Sequence, residues 1–191
     1  MTNRLILASA SPRRKELLRS MRIPFQVVVP EVIEKEDTRG DPRNIVLHNA
    51  QLKADAVIKS FPRNLILAAD TVVFFNDHIL HKPKDLEDAR SMLKLLSDNT
   101  HFVYTGICLR NQTENVTIDH CELSEVRFRK LDDAIIDAYL AKVNPLDKAG
   151  GYAIQEHPEL IIAEYKGYMS NIMGLPIEFI YSLIRKLKLL N

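Results

Sequence analysis

Leu5-Ile6-Leu7-Ala8 is a short uninterrupted apolar run, and Ser9-Ala10-Ser11-Pro12 follows it at once. An unbroken run of this length reads as a buried strand. Pro12 has a fixed φ and no N–H, so it suits the first position of a helix with Ser11 as its N-cap. The chain therefore opens as strand, turn, helix. Arg13 and Arg14 fall in the first turn of that helix. This is the unfavourable end for cations, because a helix N-terminus already carries partial positive charge. Two hydroxyls, free backbone N–H groups and two guanidiniums at a strand-to-helix turn suit an anion, phosphate above all. A capped surface helix with solvated arginines is the plainer alternative.

The rest of the chain repeats this mixture. Helices are predicted over residues 12–21, 42–59, 85–97, 131–141 and 177–190. The second has Asp41 as cap and Val46, Leu47, Ala50, Ala54, Val57 and Ile58 at helical spacing. Strands are predicted over residues 25–29, 65–69, 101–109, 115–129, 152–155 and 160–165. Residues 72–75 and 78–80 read as a β-hairpin across Asn76-Asp77. Residues 31–40, 144–151 and 171–176 read as loops or turns. Strands and helices mix in both halves, so the class is α/β, with a mixed twisted sheet flanked by helices. Two lobes with a central cleft suit this pattern. With 191 residues and no visible linker, the chain reads as one domain over 1–191.

Composition narrows the partners. Formal net charge is +1, so bulk electrostatics gives no reason to expect nucleic-acid binding. No segment approaches the ~18–20 apolar residues of a membrane span. One arginine before a strand-sized apolar run does not make a signal peptide, so a cytoplasmic location is expected. Cys108 and Cys121 fall on two predicted strands joined near residues 111–114. A register pairing Arg110 with Asn115 would set Cys108 against Thr117 and Cys121 against Tyr104, too far apart to bridge. The six histidines show no tight zinc spacing.

Several short segments carry chemistry. Asp70, in Ala68-Ala69-Asp70-Thr71, follows a buried strand, and ligands of open α/β sheets bind at such strand ends. It would also suit the start of a turn. Lys82-Pro83 follows the hairpin, and Lys53 interrupts an apolar helical stretch. Taken alone, each reads most simply as a solvated lysine. The segment 147–155 contains paired glycines that allow close backbone approach, and 167–176 is a second turn rich in small residues. Neither a Walker P-loop nor GxGxxG occurs.

In order, SASPRRKELL, AADTVV, HKP, HFVYTG, DKAGGYAIQ and NIMGLP resemble the motifs of the Maf family of nucleoside triphosphate pyrophosphatases. The resemblance runs from residue 4 to about 180. It implies a Maf/Ham1-like α/β fold, commonly a homodimer, and hydrolysis of a nucleoside triphosphate to the monophosphate and pyrophosphate. A divalent metal cation (Mg, Mn or Co) is implied as cofactor. By resemblance, Ser9, Ser11, Arg13 and Arg14 bind phosphate and Asp70 accepts the proton of the attacking water. Glu34 matches the family's acidic position and joins Asp70 as metal ligand. Lys53 and Lys82 fit as cations that neutralise charge on phosphoryl and leaving oxygens.

Three positions divide the family, and here they hold Arg13, Thr71 and Gln155. All three match the subgroup resembling dTTP/UTP pyrophosphatases. The Gln155 amide offers a donor and an acceptor, which suits the imide edge of uracil or thymine. Departures are few. His81 and Glu156 stand where glycine is frequent, and residues 157–164 are untypical. The alternatives are a 7-methyl-GTP-type pyrophosphatase and a non-catalytic nucleotide-binding protein tied to cell-division arrest.

Overall fold

The structure is a computed structural model that describes residues 5–189. The N-terminal arginine weighed above and the predicted helix end at residue 190 lie outside the described residues. The first two strands are β1 (Leu5–Ala8) and β2 (Phe25–Val28), with helix α1 (Pro12–Ser20) between them. Helix α2 (Pro42–Ile58) leads into β3 (Leu65–Phe75) and β4 (His78–Leu80). Next come α3 (Leu86–Leu96), β5 (Thr100–Asn111), β6 (Val116–Phe128) and α4 (Asp133–Leu140). A 3₁₀ turn (Ala149–Gly151), α5 (Pro158–Ile161), β7 (Ile162–Lys166), α6 (Met169–Ile172) and α7 (Ile177–Leu187) follow.

The seven strands form one sheet in the order β2-β1-β3-β5-β6-β7, with β4 on the far end of β3. Strands β2, β1 and β3 run parallel, and all other pairs are antiparallel. This is the mixed α/β sheet that the sequence implies. Leu65, Leu67 and Ala69 of β3 pack with α1 and α7 on one face. Ile66 and Ala68 pack against α2 on the other. Beyond residue 72 the core passes to a second cluster built around α3, α4, Phe128 and Tyr152.

The capping signals worked locally. Ser11 accepts from the Arg14 N–H, Asp41 from Arg43 and Asp85 from Asp88, so each helix starts where its cap stands. Asn76 and Asp77 both adopt positive φ, the conformation a tight hairpin turn asks of them.

Four expectations need correction. Residues 65–69 and 72–75 are not separate strands, because pairing with β5 continues without a break from Ile66 to Phe74. The β5–β6 register differs by two: Arg110 pairs with Thr117 and Cys108 with Asp119. The turn there lies one residue later than supposed. The cysteines are nonetheless free and buried. Residues 152–155 are not a strand. Tyr152, Ala153 and Ile154 are all buried, so no face alternates, and Tyr139 Oη takes the pairing role by bonding both N and O of Ala153. Leu160 belongs to α5, with Pro158 at its first turn, and β7 starts at Ile162.

His101 is fully buried, edge-on to Phe128 and Tyr152. Its Nε2 bonds the Tyr152 hydroxyl at 2.8 Å, while Nδ1 has no partner among the described residues. Burial pulls its pKa down to about 3. An unfolded histidine titrates near 6.5, so between those values the unfolded chain binds the extra proton. Stability from this residue therefore declines as pH falls through that window, by at most ~1.4 kcal/mol per pH unit. Chemical denaturation between pH 7 and 4 should show a shallower slope for His101→Phe than for the natural chain. Equal slopes would remove His101 from the acid response.

Candidate active site

Strand β1 stops at Ala8, paired with Ala68, and the chain turns away into α1. Past that point β3 keeps its β5 neighbour but loses its parallel one. Asp70 sits there, so it stands at the end of the parallel pairing though mid-strand overall. Alternation puts it on the α2 face, with Ile66 and Ala68. Asn49 and Lys53 come from one face of α2, four residues apart. The result is a cleft of about 830 Å³. Ser9, Ser11, Arg13, Arg14, Glu34, Lys53, Asp70, Thr71, Lys82 and Gln155 all line it, so the structure gathers every candidate residue into one place.

The centre is a buried charge cluster. Asp70 is 8% exposed and Lys53 6%. Lys53 Nζ lies 2.8 Å from Asp70 Oδ1 and 2.6 Å from Glu34 Oε2. Lys53 is thus a buried bridge between two carboxylates, not the solvated side chain its isolated position suggests. Asp70 Oδ2 accepts from Asn49 Nδ2 at 3.1 Å. Burial alone would raise the Asp70 pKa. The Lys53 ammonium, the Arg14 guanidinium and the hydrogen bonds from Lys53 and Asn49 outweigh it, and the carboxyl stays below its ordinary value. Asp70 is held ionised and in one rotamer.

Arg14 lies on the opposite face of β3. It donates from Nη1 to the Ala69 carbonyl at 2.8 Å, from Nε to the Gly174 carbonyl at 2.8 Å and from Nη2 to Thr71 Oγ1 at 3.0 Å. These bonds tie α1, β3 and the turn before α7 together. Nη1 and Nη2 each keep one N–H to spare, since arginine carries five and these bonds use three. Burial lowers its pKa, and Asp70 and Glu34 oppose that shift. Ser9 Oγ accepts from the Ser11 N–H at 3.1 Å, which shapes the turn.

Arg13 is engaged elsewhere. Its Nη1 meets Asp147 Oδ2 at 2.6 Å and its Nη2 the Asp147 carbonyl at 3.0 Å. Lys148 also binds Asp147, at 2.7 Å, and lies 3.6 Å from Glu156. Asp147 and Lys148 occur in the glycine-containing segment 147–155, but nothing in their spacing marks an ion pair with Arg13. Asn49 was missed too, since a lone Asn in a helix carries no signal of its own. Lys82 is exposed at the rim, with no ion pair among the described residues. Gln155 is exposed, and its Nε2 donates to Glu156 Oε1 at 3.3 Å.

Among the described residues no group of three or more His, Cys, Asp or Glu side chains could hold a metal ion. The acidic donors of the cleft's centre are Asp70 and Glu34. Magnesium is commonly held by one or two carboxylates with substrate phosphates supplying further ligands, and this donor set fits that mode.

Fold and cleft together define an α/β protein built to hold a polyanion beside an ionised carboxylate. The chain belongs to the Maf family: the family model described as "Maf-like protein" matches residues 4–187. A dTTP/UTP pyrophosphatase of Bacillus cytotoxicus is 44% identical over 185 residues, 97% of this chain and 94% of that one. A dTTP/UTP pyrophosphatase of Akkermansia muciniphila is 43% identical over 175 residues, 91% of this chain and 90% of that one. Among solved structures, "The structure of the Staphylococcus aureus Ham1 protein" aligns at 15% identity and a TM-score of 0.45. That alignment covers 66% of this chain and 72% of that one, a likeness too slight to argue from. No helix among the described residues is long and apolar enough to cross a membrane.

Proposed function

We propose that this chain is a nucleoside triphosphate pyrophosphatase that cleaves dTTP and UTP between the α- and β-phosphates, releasing the monophosphate and pyrophosphate. The observation that carries this reading is Asp70: a buried carboxylate kept ionised, facing a cleft lined by Arg14, Lys53 and Lys82. Relatives above 40% identity over nearly the whole chain bear the same activity in their names.

Asp70 accepts a proton from the attacking water. The upward push of burial on its pKa is offset by Lys53, Arg14 and Asn49. Arg14 and Lys82 face the phosphates and offset the charge that develops during cleavage. Ser9 and Ser11 shape the turn that presents the N–H groups of α1. Arg13 joins them on leaving Asp147. Asp70 and Glu34 would hold a divalent cation (Mg, Mn or Co), which would supply charge neutralisation for the phosphate oxygens.

Gln155 reads the base. A uracil or thymine edge presents acceptor, donor, acceptor, and an amide can pair with two neighbouring groups of it. Thr71 and Arg13 border the same cleft. A homodimer belongs to the same reading, supported by the outer edge of β7, which has no strand beside it among the described residues, and by exposed Leu123, Tyr165, Tyr168 and Met169 nearby. So does a cytoplasmic location.

The test is pyrophosphate release from dTTP, UTP, ATP, GTP and 7-methyl-GTP with Mg²⁺ or Mn²⁺. Expected is a higher kcat/KM for dTTP and UTP than for the other three. Gln155→Ala should erode that preference more than it slows the best substrate, because a mismatched base leaves polar groups unpaired. Better turnover of 7-methyl-GTP would overturn the base assignment and shift attention to Glu156. No pyrophosphate from any of them would favour the non-catalytic alternative.

A further inference from the structure

Asn49 is 3% exposed and uses its carboxamide three times. Oδ1 accepts from the Lys35 N–H at 2.8 Å. Nδ2 donates to the Lys35 carbonyl at 3.1 Å and to Asp70 Oδ2 at 3.1 Å. One side chain thus grips both polar atoms of a loop residue and also a strand carboxylate. The loop has no regular structure between β2 and α2, and Ile33 within it is 95% exposed. Little apolar burial therefore fixes that stretch. Glu34 is the neighbour of the gripped residue, and its Oε2 lies 2.6 Å from Lys53.

We propose that Asn49 is the positioning residue of this site, clamping the Glu34 loop so that the Glu34 and Asp70 carboxylates meet at Lys53. Asn49 touches neither cleft cation that faces phosphate; it acts through Glu34 and Asp70. The amide is suited to the task because it presents an acceptor and two donors in one plane. The loop's own N–H and C=O take one of each, which fixes which oxygen and which nitrogen face them. The remaining N–H is left aimed at Asp70. Aspartate in its place would lack both donors, and leucine of similar size would lack all three bonds. The kinetic part of this inference rests on the pyrophosphatase reading; the clamp itself does not.

The experiment pairs exchange with kinetics on Asn49→Leu and, should that variant fold poorly, Asn49→Ala. Backbone amide exchange by NMR should show the Lys35 N–H exchanging at least about tenfold faster, while interior amides of α2 keep their protection. With dTTP, kcat should fall roughly 10–100-fold, since misplacement by about 1 Å can cost 10²-fold, while KM stays within about threefold. In a Glu34→Ala background the same change should cost at least about fivefold less, because the part of the role exerted through Glu34 disappears with that carboxylate. A merely structural role would give equal losses in both backgrounds, and that result overturns the proposal. An unchanged Lys35 amide overturns the clamp whatever the substrate. A natural chain inert toward dTTP and UTP would instead sink the functional reading and, with it, the kinetic half of this one.

Discussion

Asp70→Asn should leave a folded protein that binds nucleotide and turns it over about 10²–10⁴ times more slowly. The side chains are isosteric and an amide oxygen can still accept from Lys53, so the shape of the cleft survives, although the new Nδ2 faces the Asn49 Nδ2 donor and that hydrogen bond is lost. What disappears is the negative charge and the basic oxygen. The loss should appear in kcat more than in KM, because the cations proposed to face the phosphates, Arg14 and Lys82, are untouched. A stability signature accompanies it. The folded Asp70 pKa lies below its ordinary value. Its contribution to stability is therefore present above the unfolded pKa and is lost as pH falls through the folded one. The difference in unfolding free energy between the natural chain and Asp70→Asn should be widest near neutral pH and shrink on acidification. Turnover within about threefold of the natural chain would take Asp70 out of the mechanism.

Gly106→Ala should damage stability and activity together. Gly106 pairs with Asp70 across β3 and β5. A Cβ there would stand 2.4 Å from the Val46 carbonyl carbon and oxygen and 2.8 Å from the Leu47 nitrogen. Those are backbone atoms of α2, so no rotamer change relieves the clash and the helix must back away by about 1 Å. Overpacking of this kind costs typically 1–3 kcal/mol. Alanine's smaller loss of backbone freedom on folding offsets only about 0.5–1 kcal/mol. A net destabilisation near 1 kcal/mol should lower Tm by roughly 2–4 °C in a chain of this size. Because α2 carries both Asn49 and Lys53, the same displacement should cut kcat by up to about 10²-fold. A variant with Tm and kcat near those of the natural chain would show that the helix is not seated on this gap.

The sequence showed the fold wherever a local signal was strong. Ser11, Asp41 and Asp85 capped their helices, and the apolar runs at 5–8 and 65–69 became buried strands. It failed where long-range pairing decides. Residues 152–155 look like a strand because they are apolar, yet buried Tyr139 claims the Ala153 backbone, and no local pattern announces that. The β5–β6 register hung on the identity of the turn residues, and an error of one position there displaced every pair. At the site, the motif residues were legible through family resemblance, and all of them converge on the cleft. Asn49 and Asp147 were not, because their roles lie in partners 14 and 134 residues away.

The contact between Arg13 and Asp147 makes anion binding at this wall an exchange reaction. Any phosphate that recruits Arg13 must first displace a carboxylate, so its affinity is a difference between two charge-assisted contacts. The Asp147 side chain is half exposed, and such a pair is worth only about 0–1 kcal/mol, so displacement is easy. Asp147 is not stranded by it, since Lys148 stays at 2.7 Å. A triphosphate, with its dense charge, is favoured in that exchange over a monophosphate. The ion pair thus makes Arg13 a conditional anion contact, free to turn toward the cleft only where an incoming charge outcompetes Asp147.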